Sequence, residues 1–274
     1  MLNRLHMLKM LRYVVLIFFL ICSLYYAYQH LLYFQPKALA ASHIFTFPVR
    51  VRFTSVKMPF DENTIIDVVK FLPADSLQKP KGVVLFFHGN RFNVEHYSFY
   101  APYFTKHGYE VWMPDYPGYG RSSGKMEMGI LNQIATQVYT MARTQYEPNE
   151  IVVYGKSLGT GIASYLASVR DCRHLMLETP YYSLSSLTQS YLYFVPVPLL
   201  IRYNLQTGAY FTDITAPITV LHGTRDELIP FGNVQRLLAN MKKTDAFYAV
   251  DGGKHNTLPE YGEYFRVVDS VMRR

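Results

Sequence analysis

Cysteine is nearly absent from this chain, which has only Cys22 and Cys172 among its 274 residues. Cys22 lies inside a long apolar run near the amino end, so we do not expect it to bridge Cys172. No Cys/His spacing matches a zinc site either. The sequence therefore predicts neither a disulfide framework nor a metal centre, and its cysteine content does not identify a compartment.

Charged residues are also few, at 17% of the chain. The net charge is +7, and the first 34 residues supply three cations and no acid. The remaining charges are scattered, without a Lys/Arg block or an aromatic–basic platform. This distribution argues against a nucleic-acid partner. Part of the net positive charge comes from the cations at the amino end, which we relate to membrane topology.

The chain is rich in apolar and aromatic side chains. Half of its residues are hydrophobic, and it contains 24 Tyr and 18 Phe. This length and composition suffice for the core of one large domain. The aromatic content also favours an apolar pocket, a membrane-facing surface, or both.

An uncharged run of 16 residues, apolar except for Ser23, extends from Tyr13 to Tyr28. As a helix it spans about 24 Å, and extension through Phe34 gives about 33 Å, enough for a hydrocarbon core of roughly 30 Å. A cleaved signal peptide is the alternative, because Ala38-Leu39-Ala40 has the form of a cleavage site, although it lies well beyond the run. We expect residues 1–34 to be a basic segment and transmembrane anchor.

The cations flanking the run predict its orientation. Arg4, Lys9 and Arg12 precede it, and no cation follows until Lys37. By the positive-inside rule, the amino end of this single-pass protein stays cytoplasmic and the folded domain lies in a periplasm, a lumen or the exterior. We expect residues 35–47 to be a linker and 48–274 to be the domain, so removal of the anchor should leave a soluble, active domain.

Beyond the linker, segments of strand and helix character alternate. Two segments, 49–58 and 64–72, predict an antiparallel pair that opens a sheet. Later strands are predicted at 83–87, 109–113, 151–154, 174–178, 218–221 and 246–250. Helical patterns between them, including 95–107 and 126–145, predict an α/β fold with a mostly parallel sheet flanked by helices.

The segment Gly155-Lys156-Ser157-Leu158-Gly159 follows one predicted strand and precedes a helical pattern of small residues. This is the G-x-S-x-G nucleophile elbow in its strand–turn–helix setting. Two glycines let the strand and helix approach closely, so the turn presents the Ser157 hydroxyl above the sheet. The N–H of Leu158 is then available to an oxyanion. An ordinary serine in a glycine-rich turn is the alternative.

Asp226 and His255 follow Ser157 in the order of a Ser–acid–His triad, each just after a predicted strand. Serine needs a base within hydrogen-bond reach, and His255 can be that base. Asp226 would hold the imidazole tautomer and stabilise the imidazolium. Glu227 remains an alternative acid, whereas Asp251 precedes a double glycine and is better suited to capping that turn.

The segment His88-Gly89-Asn90 ends an earlier predicted strand. A turn at this place brings a second backbone N–H opposite that of Leu158, which predicts Asn90 and Leu158 as the oxyanion hole. His88 precedes glycine at a strand end, as His222 does. Both positions suit structural hydrogen bonds.

Five motifs occur in order along the chain: His88-Gly-Asn, Asp115-Tyr-Pro-Gly-Tyr-Gly-Arg-Ser-Ser-Gly, Gly155-Lys-Ser-Leu-Gly-Thr-Gly, Gly223-Thr-Arg-Asp-Glu-Leu-Ile-Pro and Gly252-Gly-Lys-His-Asn. Together, over roughly residues 60–272, they resemble the α/β-hydrolase superfamily, and within it the membrane-anchored α/β-hydrolase-domain proteins and the serine-aminopeptidase-like branch. The resemblance implies an α/β-hydrolase fold and hydrolysis through an acyl-enzyme. Ser157, Asp226 and His255 stand at the matching positions, and no metal or cofactor is implied.

Residues 180–213 lie where that architecture inserts a lid over the nucleophile, and they contain only two charged residues, Arg202 and Asp213. An apolar lid favours an apolar or lipid-like acyl substrate, with Tyr191 and Phe194 predicted to contact it. We therefore expect a serine hydrolase of carboxylic ester or thioester bonds. An aminopeptidase-like or amidase activity, which would need an acidic cluster for a free amine, and a non-catalytic binding module are the alternatives.

Overall fold

The computed structural model describes residues 4–48, 50–73, 79–127 and 129–273. The strands are β1 (Gln35–Pro36), β2 (Arg52–Pro59), β3 (Ile65–Leu72), β4 (Gly82–Phe87), β5 (Arg91–Phe92), β6 (Tyr109–Pro114), β7 (Ile151–Lys156), β8 (His174–Glu178), β9 (Ile218–Gly223) and β10 (Ala246–Val250). The helices are α1 (Arg4–Tyr33), α2 (Val94–Tyr97), α3 (Ala101–Thr105), α4 (Ile130–Ala142), α5 (Leu158–Val169), α6 (Leu184–Tyr191), α7 (Val197–Leu200), α8 (Thr207–Tyr210), α9 (Phe231–Gln235) and α10 (Gly262–Arg273). Short 3-10 turns lie at Ser98–Tyr100, Pro148–Glu150, Phe211–Asp213, Arg236–Asn240 and Leu258–Glu260.

The central sheet has eight strands in the order β10-β9-β8-β7-β4-β6-β3-β2. Its pairs are parallel except β2–β3 and β3–β6, which are antiparallel. The predicted α/β-hydrolase fold with a mostly parallel sheet is therefore confirmed, including the antiparallel pair that opens it. β4 is a continuous apolar run, β7 is one as far as its last residue, Lys156, and both strands are buried at every position.

Two apolar cores lie on opposite faces of this sheet. Along β4, Val83 and Leu85 pack into one core together with α4 and α5, whereas Val84 and Phe86 pack into the other with α3 and α10. Side chains that point alternately to the two faces of a strand explain this division. Because helices cover both faces, a continuous apolar run is what the central strands require.

Two predicted helices differ from the structure. The expected helix over 95–107 is divided into α2, a 3-10 turn and α3, because Pro102 lies in the first turn of α3 and has no N–H to donate to the preceding turn. The expected helix over 126–145 begins at Ile130, after Gly129 adopts a left-handed φ of 81° at the N-cap.

Residues 35–47, which were predicted to be a linker, are hydrogen-bonded to the domain. β1 pairs in parallel with β5, and the N–H of Leu39 donates to the carbonyl of Gly120 at 2.7 Å. Phe34, at the end of the predicted anchor, belongs to the main core. Tyr33, the last residue of α1, belongs to the same core, so contacts with the domain extend back to the end of α1.

The helix α1 is 30 residues long and carries no acidic residue in its first turn. Within its segment His6–Tyr33, a window of 18 residues reaches a mean hydropathy of 2.1, and among the described residues this is the helix long and apolar enough to cross a membrane. The insert 180–213 folds as three short helices, α6, α7 and α8, and a 3-10 turn. We call this insert the lid.

Candidate active site

The carboxyl ends of the parallel strands meet at one edge of the sheet, and the predicted site residues follow there. Asn90 comes after β4, Ser157 after β7, Asp226 after β9 and His255 after β10. Four segments that are distant in sequence thus place their residues at the same edge of the sheet. The topology, rather than any local pattern, is what brings them together.

Ser157 occupies the sharp turn between β7 and α5 with a φ of 51° and a ψ of −117°, a conformation that costs free energy for any residue with a side chain. Close packing holds this turn. A Cβ atom on Gly155 would lie 2.6 Å from the carbonyl oxygen of Gly159, and one on Gly159 would lie 2.0 Å from that of Phe87. Both glycines are therefore required for β4, β7 and α5 to approach.

Ser157, His255 and Asp226 form a chain of hydrogen bonds. Oγ of Ser157 lies 2.9 Å from Nε2 of His255, and Nδ1 of His255 lies 2.9 Å from Oδ2 of Asp226. Because a carboxylate only accepts, Nδ1 carries the proton, and Nε2 is left to accept from the serine hydroxyl. The imidazole is thus held in the tautomer in which it can act as a base toward Ser157.

The environment of Asp226 favours its charged form. Oδ1 accepts from the N–H groups of Leu228 and Ile229 at 2.8 and 2.7 Å. Burial opposes the charge, but the hydrogen bond and charge of His255 and the backbone N–H of Ile229 hold the pKa of this carboxyl below its usual value. His222 remains neutral in the same region, since burial lowers its pKa, and its Nε2 donates to the carbonyl of Ile229.

The two other candidate acids lie elsewhere. Glu227 accepts from the backbone N–H of His255 at 3.3 Å and does not contact the ring. Asp251 accepts from the hydroxyl of Thr224 at 3.1 Å, in the turn after β10. The structure therefore places Asp226, and neither of these, against the imidazole.

The turn after β4 packs directly against Ser157. A Cβ atom on Gly89 would lie 3.7 Å from Cβ of Ser157, and Asn90 and Leu158 border the same cavity as Ser157. The carbonyl of Asn90 is fixed by the N–H of Gln35 at 2.8 Å and the hydroxyl of Tyr119 at 2.7 Å. The two residues predicted to supply oxyanion donors thus lie at the cavity beside the serine.

A buried ion pair below Ser157 was not predicted. Nζ of Lys156 donates to Oε1 of Glu178 at 2.8 Å and to the carbonyl oxygen of His255 at 3.1 Å. The hydroxyls of Tyr100 and Tyr154 also donate to Glu178. Burial raises the pKa of both tyrosines well above their usual value, so these donors persist at alkaline pH. A charged residue at the end of each of two buried strands is the signal that could have identified this pair.

A cavity of about 440 Å³ opens beside Ser157 and His255, within the range of ligand pockets, which is about 300–1,000 Å³. Its apolar wall includes Leu32 and Tyr33 of α1, Leu187 and Tyr191 of α6, and Leu228 and Ile229 after β9. A second cavity of about 290 Å³ meets it at Ser157. Arg91, His96, Tyr97 and Asn256 border this second cavity and make it more polar.

The two predicted lid residues have different positions. Tyr191 borders the larger cavity, and its hydroxyl donates to the carbonyl of Leu228 at 3.1 Å. Phe194 does not border it, and its ring is 45% exposed and lies against Tyr193. The reason is that α6 ends at Tyr191, so the chain leaves the cavity before it reaches Phe194.

The wall formed by α1 was also not predicted. Tyr33 contacts Thr188, which is 155 residues away in sequence, through hydroxyls 2.8 Å apart. The tyrosine-rich end of the apolar run has the composition of a membrane-interface belt, and that composition does not reveal a tertiary contact.

The model of a family described as serine aminopeptidase S33 matches residues 78–202. Similar relatives include α/β-hydrolase domain-containing protein 17C of Xenopus tropicalis, 29% identical over 66% of this chain and 58% of that protein. The α/β-hydrolase domain-containing protein 17B of Homo sapiens is 28% identical over 67% of this chain and 64% of that protein. The chain thus matches about three-fifths of the length of these relatives.

Solved structures share the fold. An esterase of Pyrococcus furiosus superposes with a TM-score of 0.66 at 17% identity, covering 88% of this chain and 97% of that one. A monoacylglycerol lipase of Paleococcus ferrophilus gives a TM-score of 0.59 at 18% identity, covering 76% and 98%. Together with the sheet order and the elbow, these findings show that the chain has the α/β-hydrolase fold.

Proposed function

We propose that the protein is a serine hydrolase that cleaves carboxylic ester or thioester bonds through an acyl-enzyme. The observation that carries this proposal is the pair of 2.9 Å contacts that joins Ser157, His255 and Asp226. His255 accepts the proton of Ser157 while Oγ attacks the acyl carbon, and the N–H groups of Asn90 and Leu158 stabilise the oxyanion. Asp226 orients the ring and stabilises the imidazolium.

The leaving group departs when His255 returns the proton to its oxygen or sulfur. A water molecule, activated by the same imidazole, then attacks the acyl carbon, and Ser157 regains its proton as the acid is released. These steps use side chains and backbone groups of the chain alone, without a metal or cofactor.

The two cavities that meet at Ser157 support a division of the substrate. The larger, with its leucine-rich wall, suits an apolar acyl chain, because a buried polar substrate would need paired polar groups. The smaller, bordered by Arg91, His96 and Asn256, suits a polar alcohol or thiol leaving group. An ester or thioester with an apolar acyl chain fits both sides at once.

An aminopeptidase-like or amidase activity is the second candidate, suggested by the family model that matches residues 78–202. That activity requires a carboxylate to hold the free amine of a substrate. Among the described residues, neither cavity is bordered by Asp or Glu, and Arg91 borders both. This electrostatic environment favours the ester or thioester.

We also propose that α1 anchors the chain in a membrane, with its amino end cytoplasmic and the hydrolase domain on the far side. The length and hydropathy of His6–Tyr33 support the crossing. The cations Arg4, Lys9 and Arg12 before the apolar run support the orientation.

Labelling with a fluorophosphonate probe tests the activity. We expect the full chain to be labelled and Ser157→Ala to be unlabelled, with Ser168→Ala at the other end of α5 as the matched control. A panel of acyl esters, acyl thioesters and aminoacyl amides then competes for the label. Preferential competition by the amides would overturn the ester assignment, and equal labelling of Ser157→Ala would overturn the role of Ser157.

A further inference from the structure

Polar contacts fasten the end of α1 to the lid. Gln29 is completely buried, and its side-chain amide donates to the carbonyl of Leu200 at 3.1 Å while its oxygen accepts from the N–H of Arg202 at 2.7 Å. The hydroxyl of Tyr33 reaches that of Thr188 on α6. Two separate segments of the lid are thus attached to one helix, and the lid and the end of α1 form a unit.

An apolar cluster extends this contact along α1. Cys22 and Tyr25 pack against Val195 and Val197, and all four residues are buried. Cys22 and Tyr25 precede the end of α1 at Tyr33 by about 12–17 Å of helix. The lid therefore runs back beside α1 towards the middle of this helix.

The position of this cluster sets the depth of the lid. A helix needs about 20 residues to cross the hydrocarbon core of a bilayer. Whether the crossing begins after Arg4 or only after Arg12, those residues include Cys22. The lid segment that touches Cys22 must then lie at a depth where α1 is surrounded by lipid.

The surface of the lid at this level is apolar. Tyr193 and Leu199 are 82% and 83% exposed, and Phe194 is also exposed. The sequence contains no charged residue from Ser183 to Ile201. Exposed apolar side chains that lie together mark a surface with a partner.

Arg202 ends this apolar stretch. Its guanidinium lies 5.7 Å from the ring centroid of Tyr26 on α1. Tyrosine and arginine are the residues found where apolar chains meet lipid headgroups, and a long arginine side chain can reach from within the apolar layer to water. The surface thus changes from apolar to polar near Tyr26 on α1 and near Arg202 on the lid, and these two residues lie side by side.

We propose that the tip of the lid, residues 192–200, is embedded in the lipid bilayer, in the same leaflet as the last turns of α1. This inference rests on the anchor proposed above and adds a second membrane contact to it. The larger cavity is bordered by Leu32 of α1 and Leu192 of the lid tip. An acyl ester dissolved in the bilayer therefore reaches Ser157 along the junction of α1 and the lid.

Tryptophan fluorescence in membranes tests this contact. The full chain is reconstituted in phosphatidylcholine bilayers with or without brominated acyl chains, which quench nearby indoles. The native Trp112 is completely buried and supplies a constant background. We expect the added emission of Leu199→Trp to be largely lost in brominated lipid. Val169→Trp, exposed at the far end of α5, is the matched control and should emit equally in both bilayers.

Several outcomes separate the two proposals. An anchored chain that hydrolyses a short ester but shows no quenching at Leu199→Trp or at Phe194→Trp would overturn the embedded lid alone. If carbonate extracted the full chain from membranes, the anchor and the embedded lid would both be overturned. Loss of hydrolysis with quenching retained would overturn the proposed activity and leave the membrane contact standing.

A kinetic measurement provides a second readout of the lid tip. The double variant Tyr193→Ser/Leu199→Ser should lower kcat/KM for an acyl ester presented in vesicles, while kcat/KM for a water-soluble acetyl ester stays unchanged. An equal loss on both substrates, or an unchanged rate on both, would contradict the proposal.

Discussion

The carboxylate of Asp226 uses both of its oxygens, one for backbone N–H groups and the other for His255. Asp226→Asn preserves the first set of contacts but presents an amide to Nδ1, which favours the wrong tautomer. We expect kcat to fall about ten-thousand-fold with the fold retained. Hydrolysis of a short activated ester, together with Tm, measures the two effects separately.

Glu227→Gln and Asp251→Asn are the controls for this substitution. Neither side chain contacts the imidazole, so we expect each to change kcat only slightly. A severe loss in Asp251→Asn, with Asp226→Asn near the parent rate, would show that the acid has been assigned to the wrong residue.

Lys156 neutralises Glu178 and also holds the backbone of His255, both from a position that is almost completely buried. Lys156→Met leaves the carboxylate without its cation, which typically costs about 3–5 kcal/mol of folding free energy. We expect Tm to fall and kcat to fall with it. In Lys156→Met/Glu178→Gln the buried charge is gone, so Tm should recover while kcat remains low. Full recovery of kcat would show that the contact with His255 is unimportant for positioning.

At the scale of elements, the junction of β4, β7 and α5 depends on glycine. Gly159→Ala would place a methyl group 2.0 Å from the carbonyl oxygen of Phe87, and backbone atoms must move to accept it. We expect a loss of about 3 kcal/mol or more and loss of probe labelling. Gly232→Ala in α9 meets nothing within 4 Å and is the control. It should leave stability unchanged or raise it by up to about 1 kcal/mol. Equal Tm values for the two variants would contradict this account.

Elements whose pattern is local were predictable from the sequence. β4 is a continuous apolar run, β7 is one as far as Lys156, and the elbow carries its own glycine signal, so the strand ends and the residues that follow them could be located. The helix over 95–107 was predicted without its interruption because the proline acts through a single missing donor.

Contacts between distant segments were not predictable. Gln29 lies 171 residues from Leu200, and nothing near either residue in sequence reports their hydrogen bond. The segment 35–47 resembles a linker because its pairing partner, β5, is only two residues long. The ion pair of Lys156 and Glu178 likewise forms between neighbouring strands, and pairing in a parallel sheet has no local signature.

At the scale of the whole molecule, α1 packs into the folded domain and is also the proposed anchor. The ring of Phe34 packs edge-on against that of Tyr203, with centroids 4.9 Å apart. Deletion of residues 2–34 removes this contact and one wall of the larger cavity. We expect a low Tm and weak hydrolysis of long acyl esters, since loss of one buried aromatic side chain costs about 3–5 kcal/mol.

Deletion of residues 2–20 is the matched comparison. It removes most of the exposed apolar surface of α1 and keeps Cys22, Gln29 and Tyr33 in contact with the lid. We expect this shorter deletion to preserve Tm and chain-length preference in detergent. Equal stability of the two deletions would instead support the interpretation from sequence, in which the domain is independent of residues 1–34.

With α1 as the proposed anchor, the attachment of Gln29 to the lid would make the proposed hydrolysis depend on the thickness of the bilayer. A helix of 30 residues is about 45 Å long, so part of it would lie outside the hydrocarbon core, and its tilt would change with bilayer thickness. We expect the hydrogen bonds of Gln29 to Leu200 and Arg202 to pass a change of tilt to the lid and so to alter access to Ser157. We expect kcat/KM to vary with the acyl-chain length of the surrounding lipids, and Gln29→Leu to weaken that dependence. The membrane would then regulate the rate of hydrolysis through its thickness, without a bound ligand.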